Sequence, residues 1–153
     1  MSEVAIRVGI YNILYAIPDI GMVHDYERWA VDWSKFISFF KTTIGGIPQV
    51  RGWEIGRKSA AEEKIILGIN NNANQITHNY RITGYMSIQD SAATEKTFTA
   101  LLEAISAAFR ADMTLNGACI YHQFIQHEMI DARMFGDVLC HYAEMFLAVV
   151  ERI

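Results

Sequence analysis

The sequence predicts an α+β fold: an antiparallel sheet, with a mixed one also allowed, and helices packed on it in a single domain over residues 1–153. Three observations point there. Apolar residues recur at helical spacing near the start and in the middle of the chain. The strand-like stretches lack the regular strand–helix alternation of a doubly wound sheet. And Val138 to Val150 is apolar on both alternating faces apart from His141 and Glu144, as in a strand buried on both sides within a sheet or against a neighbouring chain.

The elements follow in order. Val4 to Ile17 reads as a helix through Ile6, Ile10, Ile13, Leu14 and Ile17, and Pro18 stops it before a turn at Asp19 and Gly21. Trp29, Trp33, Phe36, Ile37, Phe40 and Ile44 predict a second helix that Gly45-Gly46 terminates. Its opening, Val23 to Arg28, reads either as a short extended segment or as the first helical turn. Val50 to Arg57 reads as a strand with Trp53 and Ile55 on one side. Residues 58–77 then form a long hairpin or arm, because Ile65 to Ile69 and the polar run Asn70 to Asn74 cannot build a core alone.

Tyr80, Ile82, Met86 and Ile88 alternate with Arg81, Thr83, Tyr85 and Ser87, the pattern of a half-buried antiparallel strand. A third helix, capped by Asp90 or Ser91, has the apolar stripe Phe98, Leu101, Leu102, Ile105, Ala108 and Phe109. Gly117 marks its exit. Two strands close the chain, Cys119–Ile130 and Val138–Val150, joined by residues 131–136.

Bulk properties exclude several classes. A chain of 153 residues is one domain by length and buries roughly two-thirds of its unfolded surface. With 52% hydrophobic and 20% charged residues it is not disordered, and the apolar excess suggests that partners cover some surface. The net charge of −4 resides in the last third: residues 112–153 hold two basic and six acidic side chains. No basic run exists to grip nucleic acid through its phosphates. The N-terminus lacks the pattern of a secretion signal, and no apolar stretch reaches the about 18 residues that cross a membrane. Cys119 and Cys140 are therefore expected as buried, reduced thiols of a chain made in the cytoplasm.

Residue spacing offers no catalytic, cofactor or metal site. His122 and His127 lie five apart on one predicted strand, and His141 and Glu144 three apart on another, so each pair faces opposite ways. The histidines read as polar or edge residues rather than ligands. Cys119 and Cys140 fall on adjacent predicted strands, but no CxxC or HxxxH spacing completes a zinc set. His24 to Arg28 concentrates ionisable groups, yet a helix start capped by Asp25 explains it without acid–base chemistry. No nucleophile elbow, phosphate loop or dinucleotide fingerprint is present. The chain does not read as an enzyme.

Four stretches carry a resemblance: Gly21 to Arg28 leading into the aromatic segment, Gly52-Trp53-Glu54-Ile55-Gly56-Arg57, His78 to Tyr85 with the helix ending in Ala107-Ala108-Phe109-Arg110, and Met134-Phe135-Gly136 through His141-Tyr142-Ala143-Glu144. Together they cover most of the chain, which resembles the small tail-terminator and tail-completion proteins of tailed bacteriophages. The resemblance implies an α+β subunit of a ring, typically a hexamer, in the virion at the head–tail junction. Such a ring caps the tail tube protein at its final length, joins the head through a connector or neck protein, and lets DNA pass through its lumen without specific binding. It implies no cofactor. Arg51, Trp53, Arg57 and Lys64, on or beside the 58–77 arm, are the assembly contacts this reading selects. Asp131, Asp137 and Glu144 would keep DNA from adhering to the lumen. Two other readings stand beside it: a head-side neck or head-completion protein, and, in a different class, a small α+β ligand-binding protein or enzyme whose aromatic segment roofs a pocket.

Overall fold

Three long strands organise the molecule: β3 (Ile47–Lys64), β4 (Asn74–Ser87) and β7 (Val138–Arg152). A computed structural model describes residues 2–65 and 74–153. β4 lies in the middle, antiparallel to β3 from Lys64↔Asn74 to Arg51↔Met86 and to β7 from Gln75↔Arg152 to Ser87↔Cys140. Beyond β3, β1 (Met22–His24) runs parallel along Gly52–Glu54, and β2 (Lys41–Ile44) runs antiparallel along Ile47–Val50. Beyond β7 lie β5 (Tyr121–His122) and β6 (Gln126–Phe135), both antiparallel to it. The fold is α+β and the sheet is mixed.

One face is covered by two amphipathic helices. In α1 (Glu3–Tyr15) the Ser2 hydroxyl accepts from the Ala5 N–H at 3.1 Å, and Ile6, Ile10 and Leu14 point inward. In α3 (Thr94–Ala111) the buried stripe is Phe98, Leu101, Leu102, Ile105 and Phe109. Both pack on Trp53, Ile55, Tyr80, Ile82, Met86, Met145, Leu147 and Val149. The other face carries a second, smaller cluster of Phe36, Ile37, Phe40, Val50, Tyr85, Phe135, Cys140 and Tyr142 under the short helix α2 (Trp33–Ser38).

Several expectations are corrected. The long aromatic helix over 29–44 does not form; α2 spans six residues, with the Asp32 carboxylate accepting from the Lys35 N–H at 2.7 Å. Lys41–Ile44 is a strand, and Gly45-Gly46 is the turn of a two-residue hairpin, with φ of 57° and 78°. Two successive left-handed residues are what such a turn needs, so the glycines that read as a helix stop are a hairpin signal. Asp25 therefore caps nothing. β4 alternates buried and half-buried positions from His78 to Ile82, as expected, and is buried on both faces only over 82–86, where Tyr85 meets the second cluster. Asp90 and Ser91 sit in a 3-10 turn, and the residue before α3 is Ala93, at φ 54° with no side-chain cap bond.

The strand expected over Cys119–Ile130 is divided into β5 and β6, and β6 continues through residues 131–135, which were expected to form the loop. Cys119 belongs to the helix-side cluster and Cys140 to the other, so the sheet separates the two thiols. Burial pushes Cys119 up to about 11 and Cys140 up to about 12, so both stay protonated at neutral pH. The segment 58–77 is partly paired: 58–64 belongs to β3 and 74–77 to β4, while 66–73, with most of the Ile65–Ile69 and Asn70–Asn74 runs, lies outside the described residues. No helix among the described residues is long and apolar enough to cross a membrane.

Trp53 ties the layers together. Its indole N–H donates to the Ile20 carbonyl at 2.8 Å, its ring stacks on Phe98 at 5.8 Å, and it faces Gly84 across the β3–β4 ladder. A Cβ on Gly84 would come within 2.1 Å of the Trp53 ring. Gly84→Ala is expected to cost about 1–3 kcal/mol through overpacking, read as a lower midpoint in urea unfolding. An unchanged midpoint would contradict this account of the core.

Candidate functional site

The sheet face opposite α1 and α3 is only partly covered, and a cleft of about 470 Å³ opens there between residues 27–33, α2, β4 and β6. The strand register assembles it. Up to Gly56, even-numbered positions of β3 share this face with odd-numbered positions of β4, as Glu54↔Thr83 shows, and Thr83 in turn faces Glu144 of β7. Arg81, Tyr85, Tyr142 and Glu144 thus converge from strands distant in sequence.

Glu54 is the buried charge of the floor. Its Oε1 accepts from the Tyr85 hydroxyl at 2.8 Å, and its Oε2 accepts from the backbone N–H of Arg28 at 3.0 Å. Burial raises its carboxyl above the ordinary range, and these two hydrogen bonds offset only part of that. Burial also pushes the Tyr85 and Tyr142 hydroxyls up, helped by Glu54 and Glu144 respectively. Tyr142 donates to Glu144 Oε1 at 2.6 Å. Arg81 lies between Glu27 at 3.6 Å and Glu144 at 3.7 Å, while its buried Nε has no partner. Lys58 also pairs with Glu27. Arg133 lies over the Tyr142 ring at 4.1 Å.

Both oxygens of Glu54 are committed to donors of the chain itself, so its carboxylate fastens the 27–33 loop to the sheet. The rim is apolar and open: Trp29 is 82% exposed, Val31 97% and Trp33 61%. Trp33 meets Phe135 edge to face at 5.6 Å, which links the loop to β6 and its exposed Met129, Ile130 and Met134. Met129 shares the cleft face with Phe135, whereas Ile130, Met134 and Leu139 project from the opposite face of the sheet.

A second buried polar cluster lies on the helix side. His78 Nε2 is 3.0 Å from Glu151 Oε1, and Arg57 Nη1 is 3.4 Å from His78 Nδ1. With Arg57 donating to Nδ1, the ring donates through Nε2 to the carboxylate.

The structure does not gather the four residues selected as assembly contacts. Arg51 is 7% exposed, and its guanidinium donates to the Asp19 carbonyl and to Gln49. Trp53 is fully buried in the core. Both are internal fasteners with no surface to offer a partner. Arg57 and Lys64 lie on the exposed distal part of β3.

The histidines have separate environments. His122, on the terminal strand β5, is buried, its ring nitrogens 2.7 Å from the Gln123 carbonyl and 2.8 Å from that of Asp112. His127, on β6, meets the Ser106 hydroxyl, and burial lowers its imidazole. His141 stacks on Phe98, on the opposite face from Glu144. His24 lies in β1, 2.9 Å from the Phe39 carbonyl. Among the described residues no group of three His, Cys, Asp or Glu is placed to hold a metal. Glu144 is balanced by Arg81, which leaves Asp131 and Asp137 as the exposed part of the acidic trio.

Sequence reasoning missed Glu54, Tyr85, Arg81, Arg133 and Tyr142 as one site. The available signal was a lone carboxylate inside the apolar stretch Gly52 to Gly56, which demands buried partners. In sequence comparisons no protein-family profile and no curated protein matches the chain.

Because the folded carboxyl of Glu54 is raised, the stability it contributes is fully present below its unfolded value and is lost as pH rises through its folded one. Glu54→Gln keeps the shape and removes the charge. The variant is expected to gain stability relative to the parent as pH is raised from about 4 towards 8, followed by thermal unfolding across that range. A pH-independent difference would show that Glu54 does not titrate as its burial requires.

Proposed function

We propose that this chain is a ring-forming structural subunit of a tailed-bacteriophage virion, a tail terminator. The ring, a hexamer in this reading, caps the tail tube at its final length and presents the surface that joins the connector at the head. DNA passes through its lumen unbound, and the chain performs no catalysis. The observation that carries the assembly reading is the set of exposed apolar side chains along one flank: Trp29, Val31 and Trp33, which meets Phe135 of β6 edge to face, with the exposed Met129 on the same face of β6. Exposed tryptophans beside exposed aliphatic residues mark a surface that another protein covers. The four stretches that resemble tail-completion proteins supply the identity of the assembly.

The test is electron microscopy of a lysate lacking this protein. Overlong tails beside unattached filled heads are expected. Tails of normal length beside emptied heads would move the protein to the head side of the neck, and normal particles would remove the phage role.

Trp29→Ser with Val31→Ser should change folding stability by only about 0.5 kcal/mol, since neither side chain is buried. The same double variant should fail to restore normal tails. Full restoration would show that this flank is not the assembly surface.

One observation favours a second reading, ligand binding. The cleft places Arg81 Nε, buried and unpaired, among aromatic rings and carboxylates. A thermal-shift screen discriminates, since a ligand at 100 times its dissociation constant adds about 2.7 kcal/mol.

A further inference from the structure

We propose that successive copies of this chain join edge to edge, with the open side of β6 of one copy pairing antiparallel with the distal edge of β3 of the next. The proposal rests on the ring-subunit reading and says which surfaces build the ring.

Among the described residues the sheet ends in two unpaired edges. On one side, β2 and β1 cover β3 only as far as Glu54, and from Arg57 to Lys64 no strand among the described residues pairs with its outer side. On the other, β6 is the outermost strand along its ten residues, all exposed except Phe135. Each edge presents backbone N–H and C=O groups that a further strand can satisfy. β6 carries neither the proline nor the lysine that commonly blunts such an edge, and it exposes Met129, Ile130 and Met134.

Strand direction makes the two edges mutually compatible. β4 is antiparallel to both β3 and β7, so β3 and β7 run the same way, and β6 runs against them. A copy placed alongside by rotation about an axis along the strands therefore presents β3 antiparallel to β6. The contact is heterologous, because the two surfaces differ, and repeating it closes a ring when the rotation divides a full turn.

Charge and size agree. β6 carries Glu128, Asp131 and Arg133, for a net −1, whereas Arg57–Lys64 carries Arg57, Lys58, Lys64, Glu62 and Glu63, for a net +1. Ser59, Ala60 and Ala61 are small enough for close approach. Ala60 lies opposite His78 and Ala132 opposite His141, so both alanines sit on the helix-covered face. Residues directly opposite one another in a ladder share a face, which makes Ala60 and Ala132 a compatible cross-strand pair between copies.

The test is cysteine cross-linking of the purified full chain. Ala60→Cys with Ala132→Cys places a thiol on each edge, and the native Cys119 and Cys140 are buried and do not compete. With a short bismaleimide the double variant is expected to give a ladder extending past the dimer. Either single variant can link no further than a dimer. A double variant with no species beyond the dimer, while its thermal unfolding matches the parent, would overturn the edge pairing. Tail length in the lysate is an independent readout. A ladder from a chain whose absence leaves tails normal retains the edge contact and removes the tail role. Overlong tails without a ladder do the reverse.

Discussion

The fold depends on the insertion of Trp53 into space that only glycine leaves open. Gly84, directly opposite it on β4, has no side chain, so the indole lies flat over the strand and reaches Phe98 of α3. Its N–H ends on the carbonyl of Ile20, in the chain leaving α1. One side chain thus fixes the β3–β4 register, the seat of α3 and the path of the first turn. A register slip of one residue would send the indole to the opposite face and separate all three.

With β4 paired on both sides, the two faces of the sheet take different roles. The helix-covered face is closed by the stripes of α1 and α3, and its buried charge is confined to local pairs such as His78 with Glu151. The other face is closed only where α2 covers Tyr85, Phe135 and Tyr142. Beside that cover the chain leaves a cleft and an apolar rim. Removing one member of a buried polar pair strands the other in a low dielectric. Glu54, with its two donors, therefore restrains the loop that carries the exposed tryptophans. Core chemistry and surface display meet at that carboxylate.

The surface itself is asymmetric. Apolar side chains project from the β6 side, while the β3 side offers small and charged residues on an extended strand. These two unlike edges are the pair that the head-to-tail contact proposed above would use.

Local pattern alone determined a good part of this. The stripes of α1 and α3 follow from their 3.6-residue period, and the last strand, buried on one face and partly buried on the other, from its continuous apolar run. The buried, free thiols and the α+β class were legible too. What local pattern could not decide was anything that depends on partners distant in the chain. Trp29 to Ile44 has a helical period, yet its last four residues, Lys41–Ile44, are a strand, because β3 supplies an edge to pair with and Gly45-Gly46 turns the chain back. Arg51 and Trp53 read as contact residues and are internal, since β4 and α3 close over one and the Asp19 turn over the other. The cleft was invisible for the same reason: Glu27, Glu54, Arg81, Arg133 and Tyr142 are scattered in sequence, and only the register of the paired strands brings their side chains to one face.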